Sequence, residues 1–297
     1  MNLSAIHPDK DYRNLAAKLD ELPTLPSIVY ELGQLINDPM TSTTEIELVM
    51  EKDQSLTAKV LRLINSAYYA IPGGVTSLSR AIGYLGFDIV NQLVLSTTIL
   101  KALEVKSPAR FDFQKFWQHT VGVAIASETI AKQLNHKTPS DLFTAGLVHD
   151  IGKVATYFID ADAFINITRH AVDNRMSMSE TEAMLQVPRH ELIGQMLAKR
   201  WNLPPVIQFP ILYHHEPDLA NRQGATPDLN KNIDIVLLAN LIIHALDFGH
   251  SGHDKKQGAP KKVLERLGIK ETDFPIVVEN VRQSLTSAES FLRLLTE

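Results

Sequence analysis

The sequence predicts an all-α fold. Apolar residues recur at three- and four-residue spacing along the chain, and no stretch alternates apolar with polar residues as a half-buried strand would. Residues that start and stop helices punctuate that pattern. A linker-like stretch, Ser107-Pro108-Ala109-Arg110, divides it into two helical subdomains, 1–107 and 108–297.

In the first subdomain, Asp9 to Leu22 is a short lead-in closed by Pro23 and Pro26, and Pro26 suits a first helical turn. Ile28, Val29, Leu32, Leu35 and Ile36 keep helical period up to Asn37-Asp38-Pro39. Thr44-Glu45-Ile46-Glu47 has the form of a capping box, in which a hydroxyl and a carboxylate three residues apart satisfy each other's backbone N–H; Leu48 and Val49 then face inward. Leu56, Val60, Leu63 and Ile64 mark the next helix, which runs to Tyr68-Tyr69 and breaks at Ile71-Pro72-Gly73-Gly74. Asn65 and Ser66 read as end-capping residues of that helix. Ser77 or Ser79 caps one long helical region reaching Leu103, with Ile82, Leu85, Ile89, Leu93 and Val94 on its stripe.

In the second subdomain, helices are expected over 113–134, 140–158, 162–174 and 177–185, then from Pro188 to Trp201 and from Pro204 to the pair His214-His215. Residues 216–230 contain Pro217, Gly224 and Pro227 and read as a surface loop. A buried helix follows over 233–248, then a polar, mobile stretch over 250–260. An amphipathic helix over 274–295 closes the chain.

Composition narrows the function classes. The chain has 297 residues, enough for a sizeable core, with 44% hydrophobic and 21% charged residues. A net charge of -5 offers no basic excess to neutralise phosphates, so nucleic acid is not an expected partner. With 0 cysteines, disulfides and thiolate metal sites are excluded. Residues 1–20 carry Asp9, Asp11 and Asp20 and do not read as a signal peptide, and no apolar run is long enough to span a bilayer. A cytoplasmic protein without membrane contact is expected.

What stands out is histidine, at 11 residues. In Ala145-Gly146-Leu147-Val148-His149-Asp150-Ile151-Gly152-Lys153 an imidazole and a carboxylate lie side by side within an apolar run. Neither belongs in a core without a partner, and a divalent cation would pair with both. His119, His190, His214 and His215 fall on other expected helices. Helical bundles assemble metal sites in this way, from side chains on facing helices. Adjacent helical residues point about 100° apart, so His149 and Asp150 can share a site only at a frayed end or with ions between their directions. Taken singly, each imidazole is more often core or surface material. His244 fits core filling as well as it fits the same site, and His7, His136, His170, His250 and His253 are left on the surface.

Taken together, His119, His149-Asp150-Ile151-Gly152-Lys153, His190 and His214-His215 resemble the HD superfamily of metal-dependent phosphohydrolases, in a layout similar to the HD-GYP enzymes. That superfamily also holds di-iron oxygenases. Leu22-Pro23-Thr24-Leu25-Pro26-Ser27, the stretch from Glu51 to Ser66, and Ser79-Arg80-Ala81-Ile82-Gly83-Tyr84-Leu85-Gly86 are similar to the HDOD domain, a bacterial signalling module related to those enzymes. The likeness covers roughly 19–211, and makes the second subdomain an HD-like helical bundle.

The resemblance implies one or two divalent ions, such as iron or manganese. His119, His149, Asp150 and Asn240 would hold one, and Asp150, His190, His214 and His215 the other. Asn240, in Leu238-Ala239-Asn240-Leu241, stands where the enzymes carry Asp, so the first site should fill less readily. No convincing Gly-Tyr-Pro element is present. Asp150 and Lys153 are the catalytic candidates, with Lys153 holding a phosphate oxygen or else a solvated lysine. Two functions follow. One is a regulatory module that works through signalling proteins. The alternative is a phosphohydrolase or cyclic-nucleotide phosphodiesterase acting on a phosphate-containing small molecule or nucleotide.

Overall fold

The computed structural model describes residues 11–36, 38, 40–105, 107–108 and 111–296. The expectations placed on His7, Asp9, Asn37, Pro39, Ala109 and Arg110 lie outside these residues. Among the described residues the chain is all helical, with no strand. The first set is α1 (Asp11–Asp20), α2 (Ser27–Ile36), α3 (Thr43–Met50), α4 (Gln54–Ile64), α5 (Leu78–Leu85) and α6 (Phe87–Ala102). The second begins with α7 (Phe113–Gln133), α8 (Pro139–Val148), α9 (Ile151–Ile159), α10 (Ala161–Asp173) and α11 (Met178–Leu185). It continues with α12 (His190–Arg200), α13 (Pro205–Tyr213), α14 (Pro227–Ala245), α15 (Lys261–Arg266), α16 (Phe274–Ser287) and α17 (Glu289–Thr296). No helix among the described residues is long and apolar enough to cross a membrane.

Several boundaries differ from the sequence expectation, each for a local reason. The capping box forms two residues earlier than expected, between Ser42 and Glu45. Glu47 instead accepts the backbone N–H of Ser79 at 2.6 Å, tying α3 to the start of α5. Ile46 and Met50, one turn apart, fill the inward face of α3; Leu48, half a turn from both, is exposed rather than inward. The long region expected up to Leu103 is two helices, because Gly86 adopts φ +83°, a C-cap conformation that glycine takes without strain. The region 274–295 likewise divides at Ala288. Pro227 does not lie in a loop but opens α14, where its missing N–H costs nothing, and Thr226 caps that helix.

Asn65 acts structurally. Its side-chain amide donates to the Val75 carbonyl at 2.8 Å and accepts from the Val75 N–H at 2.7 Å, closing the turn after α4.

The stretch containing Ser107 and Pro108 joins α6 to α7, yet one continuous apolar core runs through both helical sets. α6 packs on α8, α17 on α4 and α7, and α1 on α9 and α12. Polar ties reinforce this: Trp201 Nε1 donates to the Pro23 carbonyl at 3.0 Å, Arg200 pairs with Asp20, and Tyr68 Oη donates to Glu128.

Candidate metal centre

The helical region expected over 140–158 is broken at the residues that matter. α8 ends at Val148 and α9 starts at Ile151, leaving His149 and Asp150 in the joint. This break removes the angular conflict between neighbouring helical residues. His149 Nε2 lies 3.3 Å from Asp150 Oδ2. Asp150 is the N-cap residue of α9, but its side chain makes no cap hydrogen bond, so the carboxylate turns inward.

Gly152 lets the next element approach. A Cβ on Gly152 would lie 1.8 Å from the His190 carbonyl oxygen, so α12 crosses α9 where only a hydrogen fits. That crossing brings His190 Nε2 within 3.3 Å of Asp150 Oδ1. His214, just past α13, places its Nε2 at the same distance from the same oxygen. His119 on α7 sits 3.1 Å, through Nε2, from Asn240 Oδ1 on α14.

The residues gather in two overlapping groups. In one, ligand atoms of Asp150, His190, His214 and His215 all lie within 4.8 Å of one another; in the other, those of His119, His149 and Asp150 do. Asp150 belongs to both. His119, His149, Asp150, Lys153, His190, His214 and Asn240 are all buried, and His215 is half-buried.

A test of fit comes from the hydrogen bonds. His149 Nδ1 donates to the Gly146 carbonyl at 2.7 Å, His214 Nδ1 to the Ile211 carbonyl at 2.9 Å, and His190 Nδ1 to Glu182 Oε2 at 2.9 Å. Each bond fixes the proton on Nδ1 and turns the Nε2 lone pair inward, as the outer partners of metal-bound imidazoles do. The Nε2 atoms of His149, His190, His214 and His215, and Asp150 Oδ1, are buried without a hydrogen-bond partner. Inward acceptors left unpaired together are costly unless a cation joins them. The donor set, all nitrogen and oxygen, suits a divalent transition ion.

Electrostatics agree for three of the imidazoles. Burial pushes the pKa of His214 down to about 4 and those of His119 and His215 well below the usual imidazole value, so these rings are neutral, as ligands must be. Burial opposes charge on Asp150, but Lys153 and then His149 outweigh it and hold the carboxyl well below its usual range. Burial opposes charge on His190 too, yet Glu182 and Glu191 lift it to about 10. A divalent ion at Nε2 would displace that proton.

Lys153 is neither solvated nor open to a ligand. It is buried, with Nζ 2.7 Å from Asp150 Oδ2 and 3.0 Å from the Ser251 carbonyl. The stretch expected to be polar and mobile is in part a strap over the centre. The His250 N–H donates to the Lys115 carbonyl at 3.0 Å, and Ser251 Oγ lies 3.0 Å from His244 Nε2. His253, expected on the surface, is buried and stacks on His244 at 4.6 Å, and His244 lies 4.6 Å from His119. Sequence reasoning also missed Glu182 and Glu191. Glu182 has no motif around it; Glu191 adjoins His190, and only that adjacency could have pointed to it.

Among known proteins, the HDOD domain matches residues 22–217. The crystal structure of a candidate phosphohydrolase from Shewanella amazonensis SB2B is similar, with 26% identity and a TM-score of 0.73, over 95% of this chain and 98% of the other. So is that of an HDOD domain protein of unknown function from Geobacter sulfurreducens, at 24% identity and a TM-score of 0.74, over 97% and 99%. An uncharacterized protein of Treponema pallidum (strain Nichols) is 24% identical over 277 residues, 93% of this chain and 52% of that protein, so the chain spans about half the length of this curated relative. With an HDOD domain across about two thirds of its length and the same fold in these structures, the chain belongs to the HDOD family.

Proposed function

We propose that this protein is a regulatory module of the HDOD type, cytoplasmic and acting through signalling partner proteins, with one divalent ion as a structural element of its HD-like pocket. Asp150, His190, His214 and His215 would hold that ion. When bound, such an ion can acidify a coordinated water. The chain's own residues do the rest: Glu182 orients His190, and backbone carbonyls orient His149 and His214.

The observation that carries this reading is closure. A hydrolytic metal site keeps one coordination position open to water and substrate. Here Asp150 and His190 are 0% exposed and His214 is buried, with only His215 of the ligand group half-buried, and the strap's Ser251 carbonyl engages the lysine beside Asp150. Asn240, in place of a carboxylate, weakens the first group further.

The second reading, a phosphohydrolase, draws support from the complete second ligand group and the name of the Shewanella relative. Metal analysis of untagged protein, with hydrolysis of a panel of phosphomonoesters and phosphodiesters, separates the two. The regulatory reading expects bound metal without turnover. Metal-dependent turnover that disappears in Asp150→Ala would replace it with the enzymatic one.

A further inference from the structure

The strap over the centre is a thin wall with open space on its far side. A groove of about 970 Å³ runs along its outer face, between Lys115 on α7 and Arg169 and Val172 on α10, and Gly249, His250 and Gly252 of the strap line it. On the inner face, the Ser251 carbonyl accepts from Lys153 Nζ at 3.0 Å. None of the centre's own residues lines the groove, so residues 249–253 stand between the two.

The strap is lightly held. Apart from the Lys153 bond, the His250 N–H donates to the Lys115 carbonyl and the Ser251 hydroxyl meets His244 Nε2, each at 3.0 Å. Just beyond, Lys255 pairs with Glu180 at a part-exposed position, where an ion pair adds little. Closure carries a cost as well, because it buries His253 to 5% exposure with neither ring nitrogen hydrogen-bonded. Gly249 and Gly252 have φ of +72° and +100°, a region that glycine enters and leaves without steric cost.

Its hold on Lys153 gives the strap a consequence for the centre. A buried ammonium stays in place only while acceptors surround it. Lys153 has Asp150 Oδ2 at 2.7 Å and the Ser251 carbonyl. Lifting the strap removes the carbonyl and opens the groove to a long, flexible side chain whose charge gains from water. Asp150 Oδ2, 3.3 Å from His149 Nε2 and grouped with His119, then loses its internal cation.

We propose that residues 249–253 form a latch that sets how many divalent ions the centre takes. Closed, the latch pins Lys153 on Asp150 and keeps an ion out of the group of His119, His149 and Asp150. Lifted, it releases Lys153 toward the groove and admits a second ion there. The latch rests on the reading above, in which Asp150, His190, His214 and His215 hold one ion.

The test is equilibrium dialysis of the full chain against manganese(II), with hydrogen exchange of the strap read by mass spectrometry. A Cβ on Gly249 would fall 2.3 Å from the His119 nitrogen and 2.5 Å from the Lys115 carbonyl oxygen, so Gly249→Ala must lift the strap off α7. At a concentration where the wild-type chain holds one ion, that variant should hold two. Its strap amides should exchange at least about tenfold faster while those of α8 stay protected. Ser251→Ala, which loses only the tie to His244, should bind the second ion more tightly than the wild type, and carries the test if Gly249→Ala fails to fold. Lys153→Met should take two ions with or without Gly249→Ala, because the latch acts through the lysine. A folded, strap-lifted variant that holds one ion, or a second ion gained with strap exchange unchanged, would overturn the latch and leave the one-ion reading standing. No ion in the wild-type chain would overturn both.

Discussion

Lys153 Nζ lies 2.7 Å from Asp150 Oδ2, and neither side chain reaches solvent. The ammonium occupies the carboxylate oxygen that faces His149 and leaves Oδ1 to His190 and His214. One end of the bridging carboxylate therefore already has its cation, and the other does not. Metal analysis of untagged protein should find one ion per chain. Lys153→Met removes the internal cation while keeping the chain's bulk, and should admit a second ion between His119, His149 and Asp150. Two ions in the wild-type protein would contradict this account.

Gly152 sets the distance between the carboxylate and His190. Its Cβ position falls 1.8 Å from the His190 carbonyl oxygen and 2.7 Å from the Gly194 nitrogen, all backbone atoms that cannot turn aside. Gly152→Ala must push α12 away from α9, carrying the imidazole with it. Destabilisation of about 1–3 kcal/mol or more is expected from such overpacking, with loss of bound metal. Denaturant unfolding and metal content measured on one sample would check both. A variant of normal stability that keeps its metal would show that the crossing is looser than described.

Much of the architecture is legible without coordinates, because helical period survives in Leu56, Val60, Leu63 and Ile64, all of them buried. The imidazoles are legible as chemistry: buried rings need partners, and in a chain without cysteine they are the soft-side donors left to a transition ion beside the carboxylates. What stays hidden depends on tertiary contact. The break at His149 and Asp150 has no proline or helix-stopping residue of its own. The strap at Ser251 and His253 is polar by composition and reads as solvent-facing, yet a buried lysine needs its backbone carbonyl. Leu48 is misplaced by pattern alone because an apolar run of three does not say which member sits half a turn out of phase.

Tyr68 and Tyr69 offer a check by pH. Burial, and then the Glu128 carboxylate, raise both phenol pKa values well above the usual 10. A raised folded pKa favours the protonated form, so the stabilisation is whole below pH 10, the unfolded value, and is lost as pH climbs from there toward the folded one. In an alkaline titration followed by phenolate absorbance, these two of the 7 tyrosines should lag and ionise only as the helical signal collapses. Tyr68→Phe should shift that collapse, and should cost about 1–3 kcal/mol at neutral pH by leaving Glu128 short of a donor. All tyrosines titrating together before unfolding would dispose of the shielding described for this pair.

Asp234 is another buried carboxylate, held by two guanidinium groups. Its Oδ1 accepts from Arg222 Nη2 at 2.7 Å and from Arg266 Nη2 at 2.7 Å, and its Oδ2 accepts from Arg266 Nε at 2.7 Å. Arg222 also donates to the carbonyls of Glu216 and Asn230, so this pair fastens the 216–226 segment onto α14, close behind His214 and His215. Breaking a buried pair from one side leaves the other charge without compensation, which costs about 3–5 kcal/mol. Asp234→Ala should therefore be among the more damaging single changes outside the metal centre. Arg266→Ala, on a side chain 25% exposed, should cost much less, because Arg222 keeps its carboxylate. The double variant Arg222→Leu with Asp234→Leu removes both charges and should recover much of the stability lost in Asp234→Ala. Denaturant midpoints across the three variants decide the matter: equal losses in Asp234→Ala and Arg266→Ala, or no recovery in the double variant, would mean that packing rather than charge pairing holds this segment.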